Sequence, residues 1–307
     1  MRDQLVNVAM TPLGNADSVI PLPAKDSHDR AIFVKPYEIS LPFRDVLSKI
    51  QAQEQQGSDY KGPTHYAQTQ NDNLRNEYET LFSDVPASVS FARIALDAEP
   101  DAINFWLGNS HSTTALHKDN YENVYVQVLG RKHFVLMPPV EAACINEKSV
   151  LAATYAVKQP HQQNQHQPEE EEGGKEEAQV PPPPLTKQDL SIHLDTPEEY
   201  VPFATWDPDY PDINATPYSH LSRPLRVTLE EGDMLYLPAL WYHKVSQSCN
   251  QDGICCAVNY WYDLDFSGGF WSMANFVRSV GLMSMRRQGE DEGEKEKGEE
   301  RAVEENR

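Results

Sequence analysis

Apolar residues recur at helical spacing in two early stretches, 43–53 and 71–82, and in the second Leu74, Tyr78, Leu81 and Phe82 share one face. Both stretches are predicted as helices. From Ile103 onward the texture changes to short runs rich in β-branched and aromatic residues. They are Ile103–Leu107, Asn123–Val128, His133–Met137, Arg226–Leu229, Met234–Leu237 and Ile254–Tyr262. Turn signals part them at Leu129-Gly130-Arg131, Pro138-Pro139 and Glu231-Gly232-Asp233. Closely spaced short strands with such turns predict a mainly β fold, an antiparallel barrel or jelly roll, with flanking helices. A last amphipathic helix, Phe270–Met285, puts Phe270, Met273, Phe276, Val277 and Val280 on one stripe.

Two stretches break the pattern. Lys158–Pro184 has no apolar periodicity and ends in four prolines, and Gly289–Arg307 is almost wholly charged. Neither can bury enough apolar surface to offset the entropy of ordering, so both are expected to be disordered. The chain is therefore expected to hold one domain over residues 1–286, interrupted by the low-complexity insert 158–184 and followed by an acidic tail, 287–307. The 39% hydrophobic content, 23 prolines and mean hydropathy of −0.62 fit a globular core diluted by such segments.

The formal charge is −21. The insert has six Glu against two Lys and Gly289–Arg307 nine acids against four bases, so most of the excess belongs to the remaining chain. A surface that acidic repels phosphate backbones, which argues against direct nucleic-acid binding and suits a basic partner such as a lysine-bearing protein segment. The four cysteines, Cys144, Cys249, Cys255 and Cys256, form no CxxC pair and no disulfide framework. Reduced thiols in an intracellular protein, cytoplasmic or nuclear, are the expectation. No stretch approaches the roughly 18 apolar residues of a membrane span. The opening MRDQLVNVAM lacks the apolar core of a signal peptide.

The candidate chemistry lies in Leu116-His117-Lys118-Asp119 and, far downstream, Trp241-Tyr242-His243. Two imidazoles and one carboxylate on one face of an ion leave three open positions. That is the ligand set of non-haem Fe(II) oxygenases, in which 2-oxoglutarate takes two positions and O₂ the third. Alternation along a strand sends residues i and i+2 to one face, so His117 and Asp119 can enter a barrel while Lys118 points away. A second HxD, His193-Leu194-Asp195, is expected to lie in a loop beside the insert and to be incidental. The run Gly232 to His243 reads as turn, strand and Pro-marked end, delivering His243 to a rim. Lys132 follows the Gly130 turn, and a lysine facing into a barrel is costly unless an anion such as the distal carboxylate of 2-oxoglutarate pairs it. Thr114, Asn123 and Tyr66 supply neutral donors nearby in the pattern. No HExxH is present, which speaks against a zinc peptidase.

At AINFWLGNSHSTTALHKDNYENVYVQVLGRKHFVLMPP (102–139), RVTLEEGDMLYLPALWYHKVSQS (226–248) and AVNYWYD (257–263) the chain resembles the JmjC family of 2-oxoglutarate oxygenases, on its lysyl-hydroxylase branch. MTPLGNADSV (10–19) and YAQTQNDNL (66–74) add to the match. The resemblance implies a double-stranded β-helix of the cupin/JmjC kind. It makes His117, Asp119 and His243 the iron ligands and Lys132 the partner of the 2-oxoglutarate carboxylate. Tyr66 and Thr114 fall at hydroxyl donors to that carboxylate, Asn123 at an amide near the co-substrate, and Asn259 and Trp261 at a barrel-lining pair opposite the metal. It implies C3 hydroxylation of a lysine in a protein such as a developmentally regulated GTP-binding protein, with N-methyl-lysine demethylation or a non-catalytic cupin module as alternatives. The match starts after a helical segment that in the family packs on the barrel and helps shape dimers, which leaves a homodimer open.

Overall fold

A computed structural model describes residues 1–21, 31–158 and 185–285 of the chain. The insert, apart from Lys158, and the acidic tail, both expected to be disordered, lie outside the described residues.

Eight strands form two facing four-stranded antiparallel sheets. One sheet runs Leu225–Leu229, Arg131–Met137, Tyr242–Ser248, Thr114–His117; the other runs Met234–Leu237, Tyr121–Leu129, Cys255–Asp263, Ala102–Gly108. Consecutive strands alternate between the sheets, except that Arg131–Met137 and Leu225–Leu229 pair within one sheet. This is the double-stranded β-helix, and each of the six predicted strand runs lies within one of its strands to within a residue. Thr114–His117 and Tyr242–Ser248 carry few β-branched residues but sit side by side, His243 opposite His117. The face between the sheets is filled by Trp106, Tyr125, Phe134, Leu136, Leu229, Leu237, Val245 and Ala257.

A larger apolar cluster joins the outer face of the second sheet to the N-terminal elements. Val46 and Ile50 of the helix Phe43–Gln56 meet Val6, Val8, Ile103, Val124, Val258 and Tyr260 there. The strands Leu5–Thr11, Tyr37–Pro42 and Thr64–Tyr66 form a small antiparallel sheet, and Ala67 bridges it to Leu107. A five-stranded sheet built on Glu147–Val157 collects Ala31–Lys35 in parallel and Ser18–Pro21, Leu190–Leu194 and Tyr200–Ala204 in antiparallel pairings. Among the described residues no helix is long and apolar enough to cross a membrane, and the four cysteines are free.

Three expectations need correction. The helix over 71–82 is two single turns, Asn73–Asn76 and Glu79–Phe82. Tertiary hydrogen bonds win over periodicity here. Asn73 caps the neighbouring strand by accepting from Phe105 N and donating to Phe105 O, and Asp72 accepts from Ile103 N. The four apolar residues still face inward, Leu74 and Tyr78 fully buried. The C-terminal helix exists, over 269–285, but its large apolar stripe is not the packed face: Met273 and Phe276 are 57% and 69% exposed. Small residues make the contact. Ala274 joins Ala239, Leu240 and Leu264, Gly281 lies against Ala143, and Arg278 pairs with buried Glu147. His193 lies in the strand Leu190–Leu194, not a loop.

Candidate metal centre

His117 ends its strand, and Asp119 stands two residues beyond that end. Strand alternation alone therefore does not aim the carboxylate. The backbone carbonyl of Asp119 accepts from Leu240 N at 2.8 Å, which ties the loop to the segment leading into His243. The Nε2 atoms of His117 and His243 each lie 3.6 Å from Asp119 Oδ2, and the ring centroids are 4.1 Å apart. One ligand atom from each of the three residues falls within 4.8 Å of the others.

Each imidazole is anchored in the same way. His117 Nδ1 donates to Ala115 O at 2.8 Å, and His243 Nδ1 donates to Trp241 O at 3.1 Å, each the carbonyl two residues back. An Nδ1–H held by a carbonyl leaves the Nε2 lone pair bare and aimed at the gap. Burial opposes charge on all three groups. For His117 the nearby Asp119 carboxylate outweighs burial and holds the pKa above its ordinary value. For Asp119 the two histidines outweigh it and pull the carboxyl to about 2. Burial and the neighbouring His117 push His243 down to about 4. Two imidazole nitrogens and a carboxylate, pre-oriented and half-buried, fit a divalent transition metal. Lys118 points away, its Nζ 2.6 Å from Glu147 Oε2 and 3.1 Å from the Tyr242 hydroxyl.

Behind the three residues lies a narrow cavity between the sheets. Tyr66, Thr114, Asn123, Lys132, Asn259 and Trp261 all line it, together with the ligand residues. Lys132 is 2% exposed and donates to the Tyr66 hydroxyl at 2.8 Å. Burial works against its charge, and the groups that face it, the Tyr125 and Tyr66 hydroxyls, are neutral. Burial raises the pKa of both tyrosines, so they offer dipoles and not anionic charge. Among the described residues no carboxylate pairs with Lys132 within 4.0 Å. Asn259 donates to Asn123 Oδ1 at 3.1 Å and accepts from Trp106 Nε1 at 2.9 Å, which fixes both amides. Gly108 is required beside this cavity: a Cβ there would lie 2.7 Å from the Tyr66 ring. Tyr125, Trp106 and Phe134 were not singled out from the sequence, although Tyr125 lies two positions from Asn123 and so on the same strand face.

His193 and Asp195 are elsewhere. His193 is exposed and contacts Ser191, while Asp195 pairs with Lys35 at 2.7 Å.

Residues 1–268 match the family model described as a cupin-like domain. The chain is 36% identical over 262 residues to the human protein named Bifunctional peptidase and (3S)-lysyl hydroxylase JMJD7, covering 85% of this chain and 68% of that protein. It is 31% identical over 289 residues to Lysine-specific demethylase JMJ32 of Arabidopsis thaliana, covering 91% and 72%. It is 29% identical over 274 residues to JmjC domain-containing protein E of Dictyostelium discoideum, covering 87% and 71%.

Proposed function

The chain belongs to the cupin-like family of JmjC proteins, and on that premise we propose that it is an Fe(II)- and 2-oxoglutarate-dependent oxygenase that hydroxylates a lysyl side chain in a protein substrate. One observation carries the reading. A pre-oriented His/Asp/His set and a buried lysine without a carboxylate partner among the described residues line the same narrow cavity. A metal alone would not call for Lys132, and a simple cupin ligand would not need three metal donors. A dicarboxylate that spans the two answers both.

In this reading His117, Asp119 and His243 hold the iron. Iron and 2-oxoglutarate together supply oxidative decarboxylation to succinate and CO₂, coupled to insertion of one oxygen atom of O₂ into an unactivated C–H bond. The chain's own residues do the rest. Lys132 and the Tyr66 hydroxyl receive the distal carboxylate, which turns a costly buried charge into a hydrogen-bonded pair. Thr114 and the fixed amides of Asn123 and Asn259 orient the co-substrate along the cavity. Trp106, Tyr125, Phe134 and Val245 wall it with apolar surface and exclude water. Asp119 stays ionised and His243 neutral near neutral pH, as metal ligation requires.

Two of the three relatives named above carry lysine in their names, one as hydroxylase and one as demethylase. The test is turnover of 2-oxoglutarate to succinate by purified protein with Fe(II) and an array of lysine-centred peptides, read by mass spectrometry. Gain of one oxygen atom on a lysine is the expected result. Loss of a methyl group from N-methyl-lysine peptides, with unmethylated peptides untouched, would replace hydroxylation by demethylation. Absence of succinate under every condition would overturn the oxygenase reading.

A further inference from the structure

A second cleft, of about 600 Å³, also reaches His117 and is lined by Asp17, Phe33, Lys35, Glu38, Gln68 and Phe203 among others. We propose that Asp17, held at this cleft beside the metal centre, receives the side-chain ammonium of the substrate lysine. The inference rests on the lysyl-oxygenase reading and adds the residue that selects for lysine.

The placement is built into the fold. Asp17 sits in the turn after the strand Leu5–Thr11, and that turn is pinned to the segment leading into the strand that carries His117. Gly14 O accepts from Thr113 N at 2.8 Å, and Gly14 N donates to Thr11 Oγ1 at 2.8 Å. Gly14 is needed for the approach: at φ +79° it lies so close to His111 O that a Cβ would meet it at 1.8 Å. Asp17 itself has φ 52°, the left-handed region that Asp and Asn tolerate better than most residues. Its carboxylate is thus registered against the metal-bearing strand across roughly a hundred residues of sequence.

Gln68 Nε2 donates to Asp17 Oδ2 at 3.1 Å. Among the described residues no Lys or Arg pairs with Asp17 within 4.0 Å. Lys35, the cationic residue lining the same cleft, is committed to Asp195 at 2.7 Å. Glu38, exposed at the rim, adds a second negative charge. Burial, opposed by His117, the Gln68 hydrogen bond and Lys35, still leaves the Asp17 carboxyl above its ordinary value. The cleft also has apolar walls for an alkyl chain: the Phe33 and Phe203 rings lie 4.9 Å apart. A cation at the end of a flexible hydrocarbon stem satisfies all three features, and lysine has that form. The arrangement is the converse of the narrow cavity, where buried Lys132 has no carboxylate partner among the described residues.

The experiment uses the lysyl peptide that the array yields, and the same peptide with norleucine in place of lysine, which lacks the ammonium. Each is titrated calorimetrically into the full-length anaerobic protein loaded with Fe(II) and 2-oxoglutarate. The wild type should prefer lysine over norleucine by about tenfold or more, the scale of a charge-assisted hydrogen bond. Asp17→Asn, which keeps the shape and tolerates the backbone, should lose that preference and raise KM for the lysyl peptide more than it lowers kcat. Asp17→Glu should restore part of it. A wild type indifferent to norleucine, or an Asp17→Asn protein that still prefers lysine, would overturn the proposal alone. If no lysyl peptide is oxidised, the lysyl reading fails first and takes this inference with it.

Discussion

Replacing Lys132 by methionine should have opposite effects on the ligand-free and ligand-bound protein. In the ligand-free protein the ammonium is 2% exposed and has hydroxyl partners but no carboxylate among the described residues. Holding an ion in such a place costs several kcal/mol. Methionine keeps an unbranched stem of similar volume in the cavity that Phe134 and Val245 also line, opposite Leu229 on the neighbouring strand, so little cavity is created. The change leaves the Tyr66 hydroxyl without its donor, which takes back about 1–3 kcal/mol. The net expectation is a gain of about 1–3 kcal/mol, or several degrees in Tm for a domain of this size. With co-substrate the balance reverses. Wild type at a hundredfold excess over Kd gains about 2.7 kcal/mol from binding. The variant would have to bury the distal carboxylate unpaired, at about 3–5 kcal/mol, which weakens 2-oxoglutarate by a hundredfold or more. Thermal melts of the anaerobic Fe(II) protein with and without 2-oxoglutarate read both effects. The variant should melt higher than wild type without co-substrate and show no ligand-dependent rise. Lys132→Arg should recover only part of the rise, because a planar fork does not replace a compact ammonium. A methionine variant that keeps the full rise would remove Lys132 from co-substrate binding. One that melts lower in both conditions would show that the lysine stabilises the barrel by itself.

Other consequences are simpler. His117→Ala or Asp119→Ala should abolish tight Fe(II) binding measured by anaerobic titration, while His193→Ala should leave it intact; equal losses in all three would contradict the geometry of the two HxD sites. Glu147→Gln should destabilise the protein by about 3–5 kcal/mol at neutral pH, since Glu147 is buried and receives both Lys118 and Arg278. Burial raises the pKa of Glu147, but Arg278 and Lys118 outweigh it and hold the carboxyl below its ordinary value. Its contribution is therefore complete above about pH 4.3 and fades as pH falls through the lower folded value. Urea unfolding at neutral pH and near pH 3 should show the gap between variant and wild type closing on the acid side; a constant gap would mean that charge is not what Glu147 contributes.

Much of the barrel was legible in the sequence because its strands are encoded locally. Period-two alternation, aromatic and β-branched runs, and turns at Gly130 and Gly232 are short-range signals, and all six predicted runs became strands. The candidate metal residues were legible for the same reason. His117 and Asp119 are neighbours in sequence, His243 follows a recognisable turn and strand, and Lys132 follows a glycine turn.

What only the tertiary structure decided is what must be brought together from afar. The register that sets His243 opposite His117 is a property of the sheet and of no single strand. The helix expected at 71–82 broke because Asn73 and Asp72 found partners on the strand Ala102–Gly108. Residues 269–285 turned their small face inward because Arg278 had a buried acid to reach and Gly281 lay on Ala143, an arrangement that amphipathicity alone does not favour. Asp17 carries no local mark of function at all. Its place beside the candidate metal centre is held by a hydrogen bond between Gly14 and Thr113. Local free energies write the elements into the chain, but a charge becomes costly, and so informative, only once packing has removed the water around it.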